Sequence, residues 1–247
     1  MNYVAVAILG LAALNLSLRL YSRFHRRKLT AAQRQVMTTY ATYYKHLNAA
    51  SQLSFERTVA DFVNRKEWRG SGIAVVDGMK VMIGSCAAQL LHGFPEVRLR
   101  HFKRIVVTSG PYRATSDGKL HLGEVRPGQG VIIISWSDFV KGYADPRNAY
   151  NVGLHEFAHA LWFENTIQNG EEHFLDEALL RQWNVLALAE ISRINTGSGH
   201  FFRKYAGANT AEFFAVAVEY FFEQPEEFKA AFPELFGVLG GLLRQGR

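Results

Sequence analysis

His155, Glu156 and His159 stand in the stretch NVGLHEFAHALW, residues 151–162. On an α-helix, positions i and i+4 share one face, so His155 and His159 can aim both imidazoles at one ion. Glu156 is offset enough to reach a water activated by that ion rather than the ion itself. Two nitrogen ligands and a carboxylate base form the set that hydrolyses a peptide bond with zinc. Phe157, Ala158 and Ala160 are uncharged, Leu161 is apolar, and no proline interrupts the stretch. The competing reading is a core helix with two satisfied histidines. It is the weaker one, because burying two His and a Glu without a metal is costly.

Such a centre needs a third protein ligand. Trp162 and Asn165 occupy the positions where a Gly-then-His extension would follow, so the ligand lies farther on. The candidates are Asp176 and Glu177 in FLDEALL, and Glu212 and Glu219 in NTAEFFAVAVEYFFEQP, with His173 and His200 behind them. Glu177 sits one residue short of a familiar zinc-ligand spacing, and one residue on a helix is about 100° of rotation. Asn209 and Glu212 also fit the N-cap and N3 positions of a capping box, which would tie Glu212 to the backbone. Glu219, seven residues after Glu212 on the same face, suits a residue that orients His155 or His159 from behind.

The chain that must position these groups has 247 residues, 48% hydrophobic and 20% charged, enough for a sizeable core. Cys86 is the only cysteine, which excludes an intrachain disulfide and a cysteine-rich metal site. The net charge of +6 is concentrated in Arg19, Arg23, Arg26, Arg27 and Lys28. Without those five the chain is close to neutral, and no nucleic-acid partner is expected.

Tyr3–Leu20 is a mostly apolar run at the short end of what spans a bilayer, roughly 17 residues or more. Basic residues follow it rather than precede it, unlike a cleaved signal. The expectation is a membrane-anchor helix with its flank at residues 1–28, the remainder facing the cytoplasm. Residues 29–66 read as a helical segment with Thr30 as N-cap. Residues 67–247 read as one catalytic domain of α+β class. Within it a helix is expected from Asp77 to Leu91, and strands at 97–108, 121–125 and 130–136. Asp117-Gly118 signals a hairpin, and helices follow from Trp136 to the end. GVIIISW, residues 130–136, is the candidate edge strand for an extended peptide, although three consecutive isoleucines also suit an interior strand.

The stretches NVGLHEFAHAL, AEFFAVAVEYFFEQPEEF and VIIISWSDF together resemble the Mlc titration factor A family of zinc-dependent peptidases, over roughly residues 70–236. That resemblance implies a gluzincin-like zincin fold with a mixed sheet, an active-site helix and a helical C-terminal half. It implies zinc held by His155, His159 and Glu212, Glu156 as catalytic base, and a peptide or protein substrate. A tyrosine shortly before the ligand glutamate is also shared, here Tyr205, suited to donate to an oxyanion; Tyr220, His173 and His200 compete for that role. Trp162 departs from the family, which carries an aspartate there, and the apolar N-terminus is not part of the family core. The resemblance further implies binding of a transcriptional regulator as an alternative function.

Overall fold

The computed structural model describes residues 28–114, 118–198 and 201–246. The expected anchor helix and His200 lie outside the described residues. Among the described residues no helix is long and apolar enough to cross a membrane.

Residues 29–66 form three helices, α1 (Ala31–Tyr40), α2 (Thr42–Lys45) and α3 (Ala49–Arg65). Thr30 closes a capping box with Gln33 at the start of α1, and Asn48 caps α3 through the amide of Ser51. α4 (Asp77–Leu90) ends within one residue of its expected limit. It packs against α1 and α3, so the helical segment is continuous with the body of the protein.

The four-stranded sheet has the order β1-β2-β6-β5, from β1 (Glu67–Ser71), β2 (Arg104–Thr108), β6 (Val131–Ser135) and β5 (Gly123–Arg126). β1 and β2 pair in parallel, as do β2 and β6, whereas β5 runs antiparallel to β6. The protein is thus of α+β class with a mixed sheet. A small separate hairpin pairs β3 (Tyr112–Arg113) with β4 (Leu120–His121), and Gly118 takes the left-handed φ of 67° between them, while Asp117 of the expected turn lies outside the described residues.

The edge-strand expectation for GVIIISW is corrected: β6 lies between β2 and β5, and all five of its residues are buried. Ile132 and Ile134 join Ile105 and Val107 in the main core, while Val131 and Ile133 are covered on the opposite face. An all-apolar strand has no face to give to water, so it takes an interior place. The edge beside it is β5.

Downstream follow α5 (Trp136–Ala144), α6 (Val152–Glu164), α7 (Glu177–Asn195), α8 (Thr210–Glu223), α9 (Pro225–Ala231) and α10 (Pro233–Leu242). α6 packs on β5, β6, α4 and α8. α8 is apolar nearly all round, and Phe213 to Phe222 are buried, as such a helix requires.

Candidate metal centre

Asn151 starts α6. Its side-chain oxygen accepts from the Leu154 amide at 3.0 Å. The helix then carries His155 and His159 on one face, ring centroids 4.7 Å apart and nearly perpendicular. α8 crosses this face and brings Glu212 from its first turn. Glu212 Oε2 lies 3.1 Å from His155 Nε2 and 3.4 Å from His159 Nε2, and the two Nε2 atoms are 3.2 Å apart. Donors held roughly 2.0–2.1 Å from one ion at tetrahedral angles stand about 3.3 Å apart. The donor set and its spacing therefore fit a zinc-sized ion. Among the described residues this is the one such group of three metal-ligating side chains.

The capping alternative for Glu212 is half realised. Asn209 does accept from the Glu212 amide at 2.9 Å, but the Glu212 carboxylate turns to the histidines. The other ligand candidates are elsewhere. Glu177 is exposed and 3.7 Å from Arg181, Asp176 caps α7 through the Leu179 amide, and His173 is exposed. Tyr220 packs against both Phe201 and Phe202. Trp162 packs on Phe214, at 4.9 Å between rings.

Glu219 stands behind His155. Its Oε1 lies 2.8 Å from His155 Nδ1, its Oε2 accepts from the Asn151 amide at 2.6 Å, and Arg203 donates to it. Arg203 is held in turn by the Ala149 carbonyl at 2.6 Å. Asn151 and Arg203 carry no sequence signal beyond the N-cap position of Asn151 before Val152. Both matter here because they fix the carboxylate that fixes His155.

Burial alone would lower the pKa of His155, yet its bonds to Glu212 and Glu219 outweigh that and raise it to about 10. Burial works to raise Glu212, but the two histidines hold it well below the usual carboxylate range. Glu156 is pushed up to about 8 by burial, with His155 pulling down and Glu212 and Glu219 adding to the rise. Glu156 is 6% exposed and lies against the backbone of β5: a Cβ added at Gly123 would meet its Oε1 at 2.5 Å. Tyr205 is half exposed, its ring 6.1 Å from that of His155. Partial burial, then Glu212, raise its hydroxyl to about 12.

A family model described as glucose-regulated metallo-peptidase M90 matches residues 17–244. The chain belongs to this family. It is 23% identical to the uncharacterized protein slr2042 of Synechocystis sp. over 213 residues, 80% of this chain and 78% of that one. It is 27% identical over 157 residues to Mlc titration factor A of Yersinia pestis and to that of Yersinia pseudotuberculosis, 55% of each chain in both cases. The chain thus spans little more than half the length of these titration-factor relatives. As a member of the M90 family it is expected to depend on a metal, and His155, His159 and Glu212 offer the donors.

Proposed function

We propose that this M90-family chain is a zinc-dependent peptidase with Glu156 as general base and a zincin-type arrangement of sheet and helices. The observation that carries the reading is the triangle of His155, His159 and Glu212, with separations of 3.1, 3.2 and 3.4 Å beside a buried Glu156. Zinc at that point supplies Lewis acidity to a water and to a substrate carbonyl. The protein's own groups do the rest. Glu156 takes the proton of the attacking water and passes it to the leaving nitrogen. Glu219 accepts from Nδ1 of His155, which fixes the tautomer and turns Nε2 towards Glu212. The Tyr205 hydroxyl, on the exposed side, donates to the oxygen that gathers negative charge. β5, at the end of the strand order and against Glu156, receives the extended substrate by main-chain pairing.

The test is cleavage of a peptide panel by the full chain with and without a chelator. Chelator-sensitive cleavage, restored by zinc and lost in Glu156→Gln, is the expected result. Cleavage indifferent to both changes would refute the reading.

The titration-factor relatives support a second reading, in which the protein sequesters a transcriptional regulator and hydrolysis is weak or incidental. Regulator binding that survives Glu156→Gln, with no peptide cleaved by the wild type, would favour it. The reading also includes a membrane anchor at residues 1–28 with the domain facing the cytoplasm, supported by the apolar run and the basic cluster after it. Recovery of the full chain in the soluble fraction would remove that part.

A further inference from the structure

The loop that leads into α6 is tied to the last turns of α8. Gln224 Nε2 donates to the Arg147 carbonyl at 2.8 Å. Glu223, buried, accepts from Asn151 Nδ2 at 2.9 Å through its Oε1, and the amides of Tyr150 and Ala149 add weaker bonds to the same carboxyl. Glu219 Oε2 accepts from the Asn151 amide at 2.6 Å. Glu219 and Glu223 are four residues apart, so both carboxylates stand on one face of α8 and hold successive parts of one loop.

The loop is also gripped from elsewhere. A Cβ added at Gly142 would stand 2.4 Å from the Tyr150 carbonyl oxygen, so α5 closes directly on its backbone. Arg203 donates to the Ala149 carbonyl at 2.6 Å, with its guanidinium 5.2 Å from the centre of the Tyr150 ring. Ala149 holds a φ of 51°, a left-handed conformation that a non-glycine residue keeps only where its surroundings impose it. What this loop delivers is Asn151. The Asn151 side-chain oxygen accepts from the Leu154 amide at 3.0 Å, and its carbonyl accepts from the His155 amide at 2.9 Å. An asparagine side chain has one accepting and one donating end. Glu223 takes the donating end, which leaves the oxygen turned to Leu154 as the cap of α6.

We propose that Glu223 is a positioning residue of the metal centre. It locks the 149–151 backbone and the Asn151 side chain, and through them the first turn of α6, which presents His155. Glu223 itself touches none of His155, His159 and Glu212; it acts through Asn151, whose amide meets the same Glu219 that lies 2.8 Å from His155 Nδ1. The inference rests on the reading of His155, His159 and Glu212 as the zinc site, but not on hydrolysis. A buried carboxylate that only supported the fold would cost stability when removed and leave metal affinity alone.

The experiment measures zinc affinity of the full chain by competition with a chelating dye, and records the visible spectrum of the cobalt-substituted protein, which follows the geometry of the ligands. Glu223→Ala is expected to weaken zinc binding by about tenfold or more, as loss of a group that orients a ligand does, and to shift the cobalt bands. Glu223→Gln keeps an acceptor for Asn151 Nδ2 but turns an NH₂ towards the loop amides, so its loss should be smaller; it carries the comparison if Glu223→Ala does not fold. Val59→Ala, in the separate core cluster between α3 and α4, is the control: it should lower the melting temperature and leave zinc affinity and the cobalt bands as in the wild type. Folded Glu223 variants with wild-type affinity and spectrum would overturn the proposal, as would an equal loss in Val59→Ala. A wild type that binds no zinc would instead refute the metal centre, and this inference with it.

Discussion

Nδ1 of His155 lies 2.8 Å from Oε1 of Glu219, while Nε2 of the same ring lies 3.1 Å from Oε2 of Glu212. One helix thus grips both nitrogens of one imidazole. The rear carboxylate is 1% exposed and tied to Arg203 and the Asn151 amide, so it cannot easily turn away. The ring is therefore presented in a single orientation.

Glu219→Gln should weaken zinc binding by roughly 10–100-fold, the usual effect of losing a carboxylate behind a ligand histidine. Glu212→Gln should weaken it further, and Glu177→Gln should leave it unchanged. Competition against a chelating dye measures all three. If Glu177→Gln loses metal and Glu212→Gln keeps it, the third ligand has been misassigned.

His155→Ala and His159→Ala should each lose most bound zinc by metal analysis. Glu156→Gln should keep zinc while turnover falls by about 10²–10⁴-fold, the range of general base catalysis. Wild-type turnover in Glu156→Gln would remove Glu156 from the chemistry.

Gly123→Ala tests how closely β5 and Glu156 fit. The new methyl would stand 2.5 Å from Glu156 Cγ and Oε1, so the carboxylate must move. Turnover should fall by about tenfold or more, since small displacements of a reacting group are costly. Zinc content should be unaffected, because no ligand is touched. Unchanged turnover would mean that the base has room to spare.

Glu223 gives a pH dependence with a definite sign. Its folded pKa, raised to about 7, exceeds the unfolded value near 4.5, so the folded state binds more protons between these limits. Its contribution to stability is full below pH 4.5 and is lost as pH rises through 7, to a limit of about 3 kcal/mol. Denaturant melts of wild type and Glu223→Gln at pH 5 and pH 7.5 should show a larger fall for the wild type. Parallel curves would mean that Glu223 titrates normally.

The spacing of His155, Glu156 and His159 was legible in the sequence because it is local: one helical period puts the imidazoles on one face, whatever surrounds the helix. The Thr30 cap and the limits of α4 were legible for the same reason. Strand order was not. VIIIS is equally apolar at an edge or inside, and only the neighbours β2 and β5 made it an interior strand and left β5 beside Glu156. β1, written EWRGS, has no apolar alternation and exists because it pairs with β2.

The division runs through α8 itself. Asn209 and Glu212 carry a capping signal, and the cap forms, yet it uses the Glu212 amide and not its side chain. The sequence by itself determined that a helix carrying His155, Glu156 and His159 existed and that a second, mostly apolar helix carried Glu212 and Glu219 seven residues apart. Only the tertiary structure decided where those acids went. The crossing of α6 and α8 set Glu212 against Nε2 and Glu219 against Nδ1, with Asn151 at the start of α6 bonding Glu219, while Arg203 and Gly123 came in from elsewhere in the chain. Contacts between residues tens of positions apart depend on how whole faces pack, and no local period encodes them.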